Sequence, residues 1–237
     1  MAQLPPRTIF HILQKDQLQQ EWPIAQQTLL PNVGRESHSF LRHFASCAAG
    51  DTSQPPPWMI CSQGNPFEHN PNFIEDVAAL VAAHLASVEE DLSPAASSTA
   101  MLPPLLPFVP LGIYRGGERL LACDASGAPH QAKLVPIAQT WRLLFGEFRP
   151  PPLWFIFTPG AFFAVPSRLV MRRPTAFYEG ALAAPGLSEN VDPIVGHAFE
   201  RLWLYVFLEE DEIASFLEAL QCDYKTRAPR GYSYSNR

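Results

Sequence analysis

Apolar positions along this chain switch between a period of two and a period near 3.6, and the switches predict its elements. "TIFHIL" reads as a short strand. In "RESHSFLRHFASCAAG" the residues Phe40, Leu41, Phe44 and Ala48 fall on one helical face while Arg35, His38 and Arg42 fall on another, which predicts an amphipathic helix with an exposed basic side. "WMICS" predicts a short buried strand and "QGNPFEHN" a polar loop after it. Pro71 opens a predicted helix to Glu90, with Phe73, Val77, Leu80, Val81, Leu85 and Val88 at helical spacing. Strand, helix, strand, helix is the start of an α/β fold.

Residues 91–112 form a Pro/Ser-rich loop that interrupts the pattern. Beyond it, "RLLACDASGAPHQ" predicts a hairpin turning at Ser126-Gly127, and "PIAQTWRLLFGEF" a short helix. "LWFIF" and "AFFAVP" predict two strands separated by "TPG", and "PTAFYEGALAA" a helix. Asp192-Pro193 starts a predicted helix to about Phe207, and an acidic helix follows from Glu209 to Leu220. The whole, 1–237, reads as a single domain with a basic tail at 222–237.

Composition narrows the class. The chain is 47% hydrophobic and 17% charged with 16 Phe, enough apolar material for a real core, and its 25 Pro sit mostly in loops. A formal charge of −6 with scattered basic residues argues against nucleic acid as a partner, since phosphate binding needs a clustered positive field. Cys47, Cys61, Cys123 and Cys222 lack C-x-x-C spacing and read as free thiols. No apolar run escapes proline for the ~20 residues a membrane helix needs. "MAQLPPRTIF" does not read as a signal peptide, so a cytoplasmic location is expected.

Three polar clusters can carry chemistry. "NVGRESH" places Asn32, Gly34, Arg35, Glu36 and His38 at a loop-to-helix junction: Asn32 can cap the helix, Gly34 allows close approach, and Arg35 can grip an anion. The alternative is an ordinary helix start with local ion pairs. "SQGNPFEH" places Gln63 and Gly64, then Glu68 and His69, after a buried strand, where open α/β sheets collect ligand contacts; the alternative is an Asn-Pro turn with solvated side chains. In "GHAFERLW", Glu200 has His197 three residues before it and Trp203 three after. Burial against that indole can raise the carboxyl pKa and suit it to general base work, while the reading these residues favour by themselves is Glu200 and Arg201 in ordinary ion pairs.

The blocks "LPNVGRESHSFL", "SQGNPFEHNPNFI", "FVPLG", "GAFFAVPSRLVMRRPTAFYEGAL" and "GHAFERLW", in this order, resemble a domain-of-unknown-function family with N-x-G-R-E and F-x-Q-G-x-P blocks. More distantly, "GAFFAVPSRLV" followed by Glu200-x-x-Trp203 is similar to core-2/I-branching β-1,6-N-acetylglucosaminyltransferases, which have a GT-A-type (nucleotide-diphospho-sugar transferase-like) fold. That resemblance implies an α/β domain with a mixed sheet flanked by helices. On the same resemblance the domain is expected to be N-terminally trimmed, because "RTIFHILQK" looks like the family's second strand. It also implies metal-independent glycosyl transfer with Glu200 as the base on an acceptor hydroxyl and basic tail residues such as Lys225, Arg227 and Arg230 facing a diphosphate.

The expected site thus has Glu200 and His69 as catalytic groups. Asn32, Gly34, Arg35, Glu36, His38, Gln63, Gly64, Gly160, His197, Arg201 and Trp203 bind the substrate, with no metal and no cofactor. The expected partner is a small molecule, with a nucleotide-sugar as one candidate. Two other readings stay open: an acid/base isomerase, cyclase or hydrolase without a nucleotide donor, and a non-catalytic sugar or partner-binding module using Trp58, Tyr232 and Tyr234.

Overall fold

The structure, a computed structural model, describes residues 10–15, 25–51, 55–63, 65–68, 70–92, 106–113, 118–128 and 135–220. Gly64, His69, Cys222 and the basic tail with Lys225, Arg227, Arg230, Tyr232 and Tyr234 lie outside them.

The elements follow in the order β1 (Phe10–Lys15), β2 (Ala25–Leu30), α1 (Arg35–Ala49), β3 (Trp58–Cys61), α2 (Phe73–Leu92), β4 (Val109–Pro110) and β5 (Leu121–Cys123). After these come α3 (Ile137–Phe145), β6 (Phe155–Phe157), β7 (Phe163–Pro166), α4 (Ser167–Val170), α5 (Thr175–Leu182), α6 (Ile194–Phe207) and α7 (Glu210–Ala219). The chain is a mixed α/β protein. Among the described residues its strands form three small groups instead of the expected single mixed sheet: β1 with β2 in parallel, antiparallel β3-β7-β4, and antiparallel β5 with β6. Short strands between prolines are the cause. β4 is two residues long and contains Pro110, which has no N–H to donate and therefore sits on a sheet edge.

Three local expectations need correction. The loop predicted over 91–112 contains β4, with Phe108 and Leu111 each 1% exposed. Residues 93–105 of it lie outside the described residues. β5 does reach a turn at Ser126-Gly127, but its partner is β6, some thirty residues on. Asp124 shapes that turn by accepting from the Ser126 amide and hydroxyl and from the Ala128 amide. Leu85, expected inward on α2, is exposed, whereas Phe73, Val77 and Leu80 are buried.

The core is built around α6. Val195, Gly196, Ala198, Phe199 and every residue from Arg201 to Phe207 are buried, as expected of a helix apolar on all sides. α1 presses Phe40, Leu41 and Phe44 onto it. Phe44 meets Trp203 and Phe207 edge-on at 5.9 and 5.4 Å between ring centres, and Phe40 meets Phe163 of β7 at 6.0 Å. Tyr205 ties α6 to β6 by accepting the Ile156 amide at 2.9 Å.

α7 starts with a reciprocal capping box between Glu209 and Glu212. Arg172 forks onto Glu212, its two terminal nitrogens 2.6 and 2.8 Å from the carboxylate oxygens. The Arg172 hydrogen bonds hold the Glu212 carboxyl down to about 2, against a smaller opposing effect of burial. A carboxyl lowered in the folded state adds stability above its unfolded value and loses it as pH falls towards the folded value. Stability should therefore drop between about pH 4.3 and pH 2. Glu212→Gln should cost about 1 kcal/mol at pH 7, given the partial exposure of the pair, and flatten that acid limb in urea unfolding measured across pH. An unaltered acid limb would remove Glu212 from this role.

Candidate functional site

The first turn of α1 is set by backbone conformation. The cap position is held by Gly34, in the left-handed region at φ 66, and not by Asn32 as expected. Arg35 continues left-handed at φ 53, a conformation that costs a residue with a Cβ about 1 kcal/mol or more. The Gly34 and Arg35 amides donate to the carbonyls of Asn190 and Val191 at 2.7 and 3.2 Å, and the Ser37 hydroxyl donates to the Gly196 carbonyl at 3.2 Å. The start of α1 is thereby fastened to the chain entering α6. Gly196 allows the closeness: a Cβ there would stand 3.0 Å from Arg35 Cδ.

Laid over Gly196, Arg35 reaches the groups of the third cluster. One terminal nitrogen donates to Asp192 Oδ1 at 2.8 Å and lies 3.2 Å from His197 Nε2, while Nε is 3.5 Å from Glu36 Oε2. A guanidinium only donates, so the contact calls for an unprotonated Nε2 and places the ring proton on Nδ1. Nδ1 faces Glu200 Oε2 at 3.7 Å, an electrostatic contact longer than a full hydrogen bond. Glu200 Oε2 also accepts from Arg201 at 2.5 Å, and Oε1 accepts the Gly160 amide at 2.8 Å. The first and third sequence clusters are therefore one network: Asp192, Arg35, His197, Glu200, Arg201.

Gly160 belongs to the turn Pro159–Ala161 between β6 and β7. Ala161 in that turn is left-handed at φ 56, and Arg35 and Ala161 are the two non-glycine residues with positive φ among those described. Both border this network, and backbone strain of this kind collects at functional sites. The β3 and β7 register, with Cys61 opposite Phe163, carries the chain after β3 to the end of the sheet where this turn lies. Half-buried Gln63 is therefore on the same end as Gly160. Elsewhere in the second cluster, Glu68 is exposed and accepts from Asn65 at 3.1 Å, a local surface pairing.

The electrostatics reverse one expectation. Burial does push the Glu200 carboxyl up, but the contact with His197, the Arg201 charge and the Gly160 amide together outweigh it, and its pKa is lowered. The raised carboxyl is Glu36. Burial lifts it, the Arg35 charge offsets only part of that, and the negative charge of Glu200 adds to the rise. The Glu36 and Glu200 side chains are 11% and 13% exposed, and those of Arg35 and His197 29% and 21%, so the network is desolvated yet open at one edge.

Two expected binding residues take inward places. His38, expected on an exposed basic face, is buried because that side of α1 packs into the protein, while Arg42 is exposed. Trp203 is 1% exposed among Phe40, Phe44, Phe163, Phe199 and Phe207, so the indole belongs to the core. Arg201, also buried, lies over the Phe157 ring at 4.7 Å. Asp192 is the member that sequence reasoning misses, because next to Pro193 it reads only as a helix start. Cys47, Cys61 and Cys123 are buried thiols that form no disulfide among the described residues. Among the described residues no group of three or more His, Cys, Asp or Glu is disposed to hold a metal ion, and no helix is long and apolar enough to cross a membrane. Among known proteins, no family model, no curated protein and no solved structure matches this chain.

Proposed function

We propose that this network is a proton-transfer site for a hydroxyl-bearing small molecule. His197 takes the proton at Nε2 once the ligand has drawn the Arg35 N–H away from that nitrogen, Glu200 orients the ring, Arg35 anchors the ligand, and Glu36 returns a proton. The observation that carries the reading is the position of the His197 ring between Glu200 at Nδ1 and Arg35 at Nε2, with its side chain partly exposed. In this reading the lowered carboxyl is the orienting group and the raised one the acid, the separation that acid–base pairs require.

Glycosyl transfer is the second reading, with the hydroxyl as acceptor, a nucleotide-sugar as donor and a GT-A-type arrangement of the chain. It is favoured by the hydrogen bond from Gly160 to Glu200, which joins the two sequence blocks that carry the transferase resemblance. Panels of nucleotide-sugars and of small hydroxy compounds, screened by thermal shift and product detection, separate the two. With a turned-over substrate, His197→Gln should lower kcat by about 10²- to 10⁴-fold, the usual contribution of general acid–base catalysis. Glu200→Gln should lower it less, since the ring remains. Parental turnover in His197→Gln would exclude His197 as the proton acceptor.

A further inference from the structure

The two most exposed large apolar side chains among the described residues stand in the turn from α3 to β6. Phe148 is fully exposed and Leu153 89% exposed, while Leu143 on α3 and Trp154 next to β6 are 47% and 37% exposed. The backbone between them is stiff, because Pro150, Pro151 and Pro152 fix their own φ angles and hold the residues before them extended. Arg149 ties down one end of the turn. Its carbonyl accepts from Trp141 Nε1 at 2.7 Å, its guanidinium lies 5.3 and 4.8 Å from the centres of the Trp141 and Phe145 rings, and Glu209 pairs with it at 3.6 Å. At the other end the Trp154 carbonyl accepts the Tyr205 hydroxyl at 3.4 Å. Phe148 and Leu153 are thus held out to solvent on a preordered loop, so that covering them costs little further ordering. Contiguous apolar exposure of this kind marks an interaction site.

The charges beside the patch identify its partner. Arg149 and Arg173 are both engaged by Glu209, whereas the exposed side chains of Arg142 and Glu147 make no hydrogen bond or ion pair among the described residues. One open cation and one open anion beside an apolar patch suit a two-fold interface, in which residue i of one copy meets residue j of the other and j meets i. We infer that this turn is the centre of a symmetric dimer of the chain: Phe148 and Leu153 pack on their counterparts, and Arg142 of each copy pairs with Glu147 of the other. A specific dimer buries ~800 Å² per copy. Phe148 alone brings ~150–250 Å² to its apolar centre, and the charged pairs form the polar rim. A bilayer fits less well, since it would have to take up the Glu147 carboxylate next to Phe148. A groove that reads a polyproline helix also fits less well: the chain bends at Arg149 and again at Leu153, which leaves three prolines, a single turn of such a helix. None of these residues belongs to the proton-transfer network.

The experiment is sedimentation equilibrium of the full chain over a range of concentrations, in which the parent should show a monomer–dimer equilibrium. Phe148→Ser combined with Leu153→Ser should weaken it by about a hundredfold or more, as for the apolar centre of an interface. Both side chains stand in solvent in the monomer, so thermal unfolding of the dilute double variant should match the parent. Arg142→Glu alone and Glu147→Arg alone should each weaken self-association about tenfold, because like charges then meet twice. An equimolar mixture of these two variants should form heterodimers as tight as the parent dimer, since every pair across the two-fold axis is again of opposite sign. A parent chain that stays monomeric up to about 0.1 mM, a dimer indifferent to the Phe148 and Leu153 substitutions, or charge variants that fail to associate on mixing would overturn the inference. So would a monomeric chain that sediments with phosphatidylcholine vesicles and loses this in Phe148→Ser, which would assign the patch to lipid.

Discussion

Arg201→Met should destabilise the protein by about 3 to 5 kcal/mol at pH 7, as expected when one partner of a buried ion pair is removed and the other stays. The Arg201 side chain is 4% exposed and supports Glu200 Oε2, the His197 carbonyl and the Phe157 ring. Methionine fills much of its volume, so the loss reports charge more than a cavity. Without the cation, the Glu200 carboxyl loses one of the influences that lower it, and its folded pKa rises from that of the parent protein. A higher folded pKa removes stability that the parent has at neutral pH and lacks once the carboxyl is protonated in both proteins, so the penalty should be full at pH 7 and shrink below about pH 4. Adding Glu200→Gln should restore part of the loss at neutral pH. Urea unfolding of both variants at pH 7 and pH 4 measures this, and a penalty independent of pH would show that Glu200 is not the charge left behind.

Gly34→Ala should be comparably severe, about 3 kcal/mol or more, for a steric reason. A methyl group at Gly34 would run into the Leu187 carbonyl and the His38 Cβ while its backbone is held at φ 66. Neither obstacle is a flexible side-chain end. The peptide can yield only by giving up the amide contacts that fasten α1 to residues 190 and 191. Gly50 provides the control: it is left-handed at φ 80, and a methyl group there would meet nothing within 4 Å, so Gly50→Ala should cost only the backbone strain, about 1 kcal/mol. Equal losses in thermal unfolding of the two variants would refute the crowding at Gly34.

The helices are legible in the sequence where periodicity and boundary signals agree. Asp192-Pro193 locates the start of α6, and the acidic run at 209–212 locates α7. The strands are legible as apolar runs, but their partners are not. Nothing in "LLAC" says that it joins "FIF", because antiparallel pairing over three residues leaves no pattern of its own. The site is visible in three pieces, and the distances that unite two of them are properties of packing. The direction of the Glu200 shift escapes the sequence for the same reason: the indole is visible at helical spacing, whereas the Gly160 amide that favours the ionised form comes from a turn forty residues away. The left-handed Arg35 is hidden because the residue type gives no sign of it.

Arg35 and Asp192 are separated by 157 positions in the chain, and this span has a consequence for how the protein is made. Phe44 finds its ring partners in Tyr178, Trp203 and Phe207, and Phe40 in Phe163 and Trp203. At ordinary translation speeds of about 5 to 20 residues per second, the apolar face of α1 is synthesised roughly six to thirty seconds before those rings exist. Contacts of such high order also slow the search once synthesis ends. The nascent N-terminal part is thus the species of this chain most in need of a holding chaperone, and the site itself stays incomplete until residues 192 to 201 have been made.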